Sequence, residues 1–145
     1  MIHVINDSLL NAKQYILVQQ VNCKGVMGAG LAKAIRTKYP DVYTEYKRLC
    51  NSTNKLIGRV QVIAVDNHAI ANFFAQDTYG RTGVHTDYRA FELCCRKLNR
   101  YCLTNKITAI AMPYGIGCGL AGGNWNFISR LIEACFDIDV YLYKL

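Results

Sequence analysis

The chain has 145 residues, 52% of them apolar and 19% charged, with a formal net charge of +7. That length suits one domain with a real core, expected over residues 1–145, and leaves little room for two. No apolar run approaches the ~20 residues needed to cross a bilayer, and "MIHVINDSLL" lacks the basic-then-apolar order of a signal peptide.

In chain order, "IHVI" (2–5) and "YILVQQV" (15–21) read as strands, the second apolar enough to be buried. Met27, Leu31, Ile35 and Tyr39 then recur every four residues, which predicts a helix ended by Pro40. A second helix is expected to start at Asp41 as its cap and to run through Tyr46 to Cys50. "GRVQVIAVDNHAIANFFAQ" (58–76) reads as two strands joined at the turn-forming pair Asp66-Asn67. From Asp87 onward Tyr88, Phe91, Cys95, Leu98 and Cys102 fall on one helical face. "ITAIAM" (107–112) is a short buried strand. Asn124 to Phe136 is helical, and "IDVYLYKL" (138–145) closes the chain as a strand. Strands that alternate with helices, with one central hairpin, predict an α/β fold: a mixed sheet covered by helices on both faces.

The seven cysteines, Cys23, Cys50, Cys94, Cys95, Cys102, Cys118 and Cys135, are odd in number and include no CxxC pair. Neither a zinc site nor a disulfide framework is indicated, and nothing calls for a metal or a cofactor. Reduced, mostly buried thiols in a cytoplasm are the simplest reading. The size and the lack of a targeting segment fit a bacterium or a phage-infected cell. The positive charge invites a polyanion or a phosphorylated small molecule. The basic residues are dispersed, however. Lys33, Arg36 and Lys38, then Lys47 and Arg48, and then Arg96, Lys97 and Arg100 read as solvated helix faces.

Two glycine clusters each follow an apolar run and precede a helical pattern: "VNCKGVMGAGLAKAI" (21–35) and "AMPYGIGCGLAGGNW" (111–125). Glycine permits close backbone approach, and a helix N-terminus offers unpaired N–H groups and partial positive charge. In an α/β sheet both loops would lie beyond the strand ends, where ligands bind. Two facing amide-rich loops could grip a pyrophosphate; two tight turns are the plainer alternative. There is no GxxxxGK[ST], and "GVMGAG" is not a clean GxGxxG.

Together "VNCKGVMGAGLAKAIRTKYP", "MPYGIGCGLAGGNW" and the terminal "VYLY" resemble the macrodomain family. The likeness extends in order over nearly the whole chain, so residues 1–145 would form a single macrodomain. It implies a three-layer α/β/α sandwich with a central mixed sheet, and ADP-ribose as ligand. It is nearest to the compact branch of ADP-ribose 1''-phosphate phosphatases and terminal ADP-ribose-protein glycohydrolases. On this resemblance Asp7 would accept from the adenine amino group, although Asn6 stands where the family has glycine. Asn22 would meet the distal ribose. Gly28, Ala29 and Gly30 would form the first phosphate-gripping loop. Ile116, Gly117, Cys118 and Gly119 would form the second, with Gly123 opening the next helix. Tyr143 would stack on adenine, a contact of about 1–3 kcal/mol by analogy with base–aromatic stacking. The glycohydrolase subgroup uses a mid-chain Lys and an Asp after GCGL. Here the residue after "GCGL" is Ala121, and "NFFAQDTYGRTGVHTDY" contains no Lys.

Other roles are open for several of these residues. Asn22 could instead shape its own loop, and Asp7 could cap a short helix starting at Ser8. Cys23 and Cys118 lie inside the loops with no evident charge partner, so structural thiols are the reading. Trp125 reads as packing, and His3 and His68 as ordinary strand or turn residues. Beyond Gln76 and Asp77, Arg81 and His85 could reach a phosphate, with His85 the candidate general acid–base group. The expected function is binding of ADP-ribose with hydrolysis of a derivative, foremost ADP-ribose 1''-phosphate. Removal of ADP-ribose from protein or nucleic acid, a non-catalytic reader, and an RNA-binding module are the alternatives. No aromatic-interleaved basic strand supports the last.

Overall fold

A computed structural model describes all residues, 1–145. Its strands are β1 (Ile2–Ile5), β2 (Ile16–Val21), β3 (Val60–Val65), β4 (His68–Phe74), β5 (Ala109–Pro113) and β6 (Asp139–Tyr143). Its helices are α1 (Gly30–Lys38), α2 (Pro40–Ser52), α3 (Tyr88–Thr104) and α4 (Trp125–Cys135). The six strands form one sheet in the order β1-β6-β5-β2-β4-β3. β3 and β4 pair antiparallel through the two-residue turn at Asp66-Asn67, where Asp66 takes φ +40°. All other pairings are parallel.

Alternate strand residues face alternate layers, and both faces are apolar. Ile16, Val18, Ala71, Phe73, Ile110 and Met112 pack against α3 and α4. Leu17, Val21, Ile70, Phe74 and Ala111 pack against α1 and α2. The chain is therefore the expected three-layer α/β/α sandwich with a mixed central sheet. None of its helices is long and apolar enough to cross a membrane, and all seven cysteines are free.

Helix boundaries differ from the sequence expectation at three places. α1 begins at Gly30, because Ala29 is extended (φ −145°, ψ 157°) and Gly30 takes φ +56°. Met27 thus lies before the helix, yet it is buried in the same core. Pro40 ends α1 but also occupies the first position of α2, with Tyr39 as the boundary residue and Asp41 in the first turn. Proline suits that position because its missing N–H would have had no helical acceptor and its φ is preset. At α4 the Asn124 side chain accepts from the Phe127 amide and caps the helix, so Gly123 does not open it.

The two layers are held by side chains with almost no exposed area. Phe91 of α3 is fully buried and meets Phe73 of β4 edge-on, with ring centroids 5.7 Å apart at 73°. Replacing Phe91 by Ala would remove that contact and leave a cavity between α3 and the sheet. Phe91→Ala should lose about 3–5 kcal/mol in equilibrium urea unfolding; a loss below about 1 kcal/mol would contradict the packing described.

Candidate functional site

The sheet opens at its centre. β2 and β5 pair only at Ile16↔Ile110 and Leu17↔Ala111, although β2 continues to Val21 and β5 to Pro113. Beyond that split, β2 feeds α1 on one face of the sheet and β5 feeds α4 on the other. A crevice at such a switch point is the general ligand position of α/β sheets. Here it is a cleft of about 650 Å³, within the range of small-molecule sites.

Gln19 and Gln20, on the diverging part of β2, line its floor. The Gln19 amide lies in a directional row. It donates to Asn72 Oδ1 (2.8 Å), Asn72 donates to Gln61 Oε1 (3.1 Å), and Gln61 donates to the Glu45 carbonyl (3.1 Å). A carbonyl can only accept, so the orientation of all three amides is fixed, and Gln19 Oε1 is left buried without a partner. Gln20 Nε2 bridges Gln76 Oε1 (2.8 Å) and Thr86 Oγ1 (2.9 Å), and Thr86 donates to the Gly117 carbonyl (2.6 Å). This network ties β2, the end of β4 and the second glycine loop to one another.

The first loop is built around Asn22. Its Oδ1 accepts from the Tyr46 hydroxyl (2.8 Å) and the Lys24 amide (2.9 Å), and its Nδ2 donates to the Val26 carbonyl (2.8 Å). Asn22 does shape its own loop, as one of its two sequence readings held. One N–H of its Nδ2 has no acceptor within the chain, and Asn22 also lines the cleft. The loop-shaping role is the one its hydrogen bonds display. Gly28, Ala29 and Gly30 follow along the wall. α3 and α4 are capped by Asp87 and Asn124, and α2 starts with proline, but α1 has no side-chain cap. Its first N–H groups therefore face the cleft unpaired, with the positive end of the helix dipole behind them.

The second loop supplies the opposite wall through Gly115, Ile116, Gly117, Gly119, Leu120 and Ala121. The Cys118 amide bonds the Gly115 carbonyl (2.9 Å) and the Ile116 amide bonds the Pro113 carbonyl (3.1 Å). The amides of Gly117, Gly119 and Leu120 have no backbone acceptor within the chain. Gly123 acts as a latch: its amide donates to the Gly117 carbonyl (2.9 Å). Cys118 does not line the cleft, and its Sγ contacts the Ile116 carbonyl (3.4 Å). Burial raises the Cys118 thiol above its ordinary range. Burial, and then the Asp77 carboxylate, push the Cys23 thiol up to about 11. Neither is an activated nucleophile.

Five expected site residues do not line the cleft: Asp7, His85, Cys118, Gly123 and Tyr143. Tyr143 is buried, and its hydroxyl donates to Gln14 Oε1 (2.8 Å). Asp7 lies at the carboxyl end of β1, outside the cleft wall, where its carboxylate accepts from the Ser8 amide (2.7 Å) and Asn11 Nδ2 (2.9 Å). Those two bonds, Asn11 first, hold its carboxyl below the ordinary range. His85 is not among the lining residues, and a Cβ at Gly80, which is, would come within 3.4 Å of its Nε2. The sequence reading missed Gln19, Gln20 and Tyr79 as lining residues. For the glutamines a signal existed: two polar residues inside an otherwise apolar strand.

Among the lining side chains only Tyr79 and Arg81 can ionise; there is no Asp, Glu, His, Lys or Cys. Such a cleft can bind anions through amides and one guanidinium and can orient a water, but it offers no ordinary general base.

A family model described as Macro domain matches residues 18–132. The chain is 28% identical over 150 residues to a DNA ADP-ribosyl glycohydrolase of Mycobacterium tuberculosis, covering 95% of this chain and 40% of that protein. It thus spans about two fifths of the length of the first curated relatives it matches. It is 31% identical over 122 residues to the human ADP-ribose glycohydrolase, covering 82% of this chain and 74% of that one. The solved macrodomain of Thermus aquaticus DarG superposes with a TM-score of 0.84 at 25% identity, covering 99% of this chain and 97% of that one.

The Gly117–Gly123 latch is the most sensitive point of the second wall. A Cβ at Gly123 would lie 2.5 Å from the Gly117 carbonyl oxygen, a backbone atom that cannot step aside alone. Gly123→Ala should destabilise the protein by about 1–3 kcal/mol in chemical denaturation. Wild-type stability in that variant would show that the loop is not held as described.

Proposed function

This chain belongs to the Macro domain family, and from that premise we propose that its cleft binds ADP-ribose and hydrolyses ADP-ribose 1''-phosphate. The observation that carries the reading is the pair of unpaired amide sets on facing walls: the uncapped start of α1, and Gly117, Gly119 and Leu120. Preorganised N–H groups suit a pyrophosphate, because their dipoles need no reorientation when the anion arrives. Carboxylates, which would repel it, are absent from the cleft wall.

With the pyrophosphate between the loops, the distal ribose would lie toward Asn22. The free Nδ2 proton of Asn22 would donate to a ribose hydroxyl and fix the sugar. A water would attack phosphorus. The new P–O bond forms as the bond from phosphorus to the ribose oxygen breaks, and the products are ADP-ribose and inorganic phosphate. Since the cleft wall carries no base, the proton of the water would pass to a phosphate oxygen of the substrate and on to the leaving oxygen. Amides of the loops would stabilise the charge on the transferred group. His85 is not assigned that proton, because it is not among the residues that line the cleft.

The relatives favour a second reading, removal of ADP-ribose from a macromolecule, because two of them are named as glycohydrolases. In that reaction water would attack the anomeric carbon, and the bond to the modified group would break. Against it stand Ala121 and the lack of lysine along the cleft, where the resemblance places the subgroup's catalytic Asp and Lys.

Calorimetric titration with ADP-ribose should show one site, and phosphate release from ADP-ribose 1''-phosphate should follow. Asn22→Ala should lower kcat by at least about tenfold, the weight of one hydrogen bond that orients a reacting group. Retained turnover in that variant would remove Asn22 from the mechanism. Release of ADP-ribose from a modified oligonucleotide, without phosphatase activity, would instead establish the second reading. Between pH 7 and 9 the rate should be nearly flat, since no lining side chain is of a type that titrates there. A bell-shaped profile in that range would overturn the substrate-assisted step.

A further inference from the structure

The segment between β4 and α3, residues 75–87, is held across the mouth of the cleft at both ends. At one end the Asp77 carbonyl accepts from the Cys23 amide (3.0 Å), and the Asp77 carboxylate lies 3.4 Å from Lys24 Nζ. At the other end the amides of His85 and Thr86 both donate to the Ala121 carbonyl (2.7 and 3.2 Å). The first contact joins the segment to the first glycine loop, and the second joins it to the second loop. Gly122 lets the strap pass closely: a Cβ there would come within 2.6 Å of the Gly83 carbonyl oxygen. The His85 ring packs beneath Gly80. The strap is therefore a built bridge, and at its middle Tyr79, Gly80 and Arg81 face the cleft.

Arg81 is the single cation among the lining residues. It makes no ion pair and no hydrogen bond within the chain, whereas Lys24 on the rim is paired with Asp77. The two amide walls already provide for two phosphates. An unpaired guanidinium among the lining residues, with no carboxylate on the wall, provides for a third anionic group. Its planar fork suits two oxygens of one phosphate.

We propose that Arg81 determines specificity: it selects ligands that carry a phosphate monoester beyond the pyrophosphate of ADP-ribose. The proposal rests on the ADP-ribose 1''-phosphate reading and names the side chain that selects that substrate over ADP-ribose. The same chemistry could be met by the phosphodiester backbone of a nucleic acid that bears ADP-ribose. The strap favours the monoester, because Arg81 stands among the residues that line the cleft between the two loops.

Stopped-flow displacement of a fluorescent ADP-ribose analogue, read before turnover, compares ADP-ribose with ADP-ribose 1''-phosphate. The wild-type protein should bind the phosphorylated ligand ~10-fold more tightly, the weight of one charge-assisted contact. Arg81→Gln should bring that ratio close to one, and Arg81→Lys should restore part of it. Higher salt should reduce the wild-type preference, because the guanidinium is solvent-exposed. An unchanged ratio in Arg81→Gln would overturn the proposal. So would equal losses for both ligands, or a loss seen only with an ADP-ribosylated oligonucleotide. Wild-type protein that displaces the analogue with neither ligand overturns the ADP-ribose reading itself. Wild-type protein that binds both equally overturns the role of Arg81 alone.

Discussion

The structure depends on the early parting of two parallel strands. β2 and β5 share a ladder for two residue pairs and then separate, because the chain leaves them toward opposite faces of the sheet. Backbone groups freed by such a split must find other partners. Glutamine side chains fill the wedge, and the two glycine loops turn their amides inward. A cleft with N–H groups on both walls and a neutral polar floor follows from that one divergence. The apolar layers on either side keep it rigid: Ile16, Leu17, Val18, Ile110, Ala111 and Met112 are all buried at the point where the strands part.

Recognition by amides has a chemical consequence. Backbone dipoles neither titrate nor pair with internal carboxylates, so the site stays the same over a wide pH range and is not filled by the protein's own charges. The same choice withdraws the side chains that would move protons. Asn22 is held by Tyr46, by Lys24 and by its own loop, and contributes geometry, not basicity. The cysteines near the loops are kept protonated by burial. Chemistry in such a cleft must draw its acid and base from the ligand, which makes the identity of the ligand's distal group decisive.

Most of the architecture was legible in the sequence. The short apolar runs placed the strands, the single helical face from Tyr88 to Cys102 placed α3, and the two glycine clusters placed the loops beyond strand ends. What failed were features set by tertiary context. Pro40 reads as a stop signal in one dimension, yet it both ends α1 and begins α2, since a proline's constraints serve equally well at a first turn. The resemblance gave Tyr143 to adenine; the sequence could not show that its hydroxyl bonds Gln14, 129 residues away. His85 looked like a catalytic histidine by residue type; the close packing of Gly80 over its ring is invisible without coordinates. The opposite error concerns Gln19 and Gln20. Their polarity inside a buried strand was a signal, and it marks the place where the strand stops pairing with its neighbour.

The most direct test of the two-walled anion grip reads the amides themselves. In a titration of 15N-labelled protein with ADP-ribose, the amide resonances of Gly28, Ala29, Gly30, Gly117, Gly119 and Leu120 should shift together, with a single saturation curve. Amides at the far end of the sheet, such as those of the Asp66-Asn67 turn, should stay in place. Shifts confined to one loop, or shifts spread over the α3–α4 surface without the loops, would contradict the account.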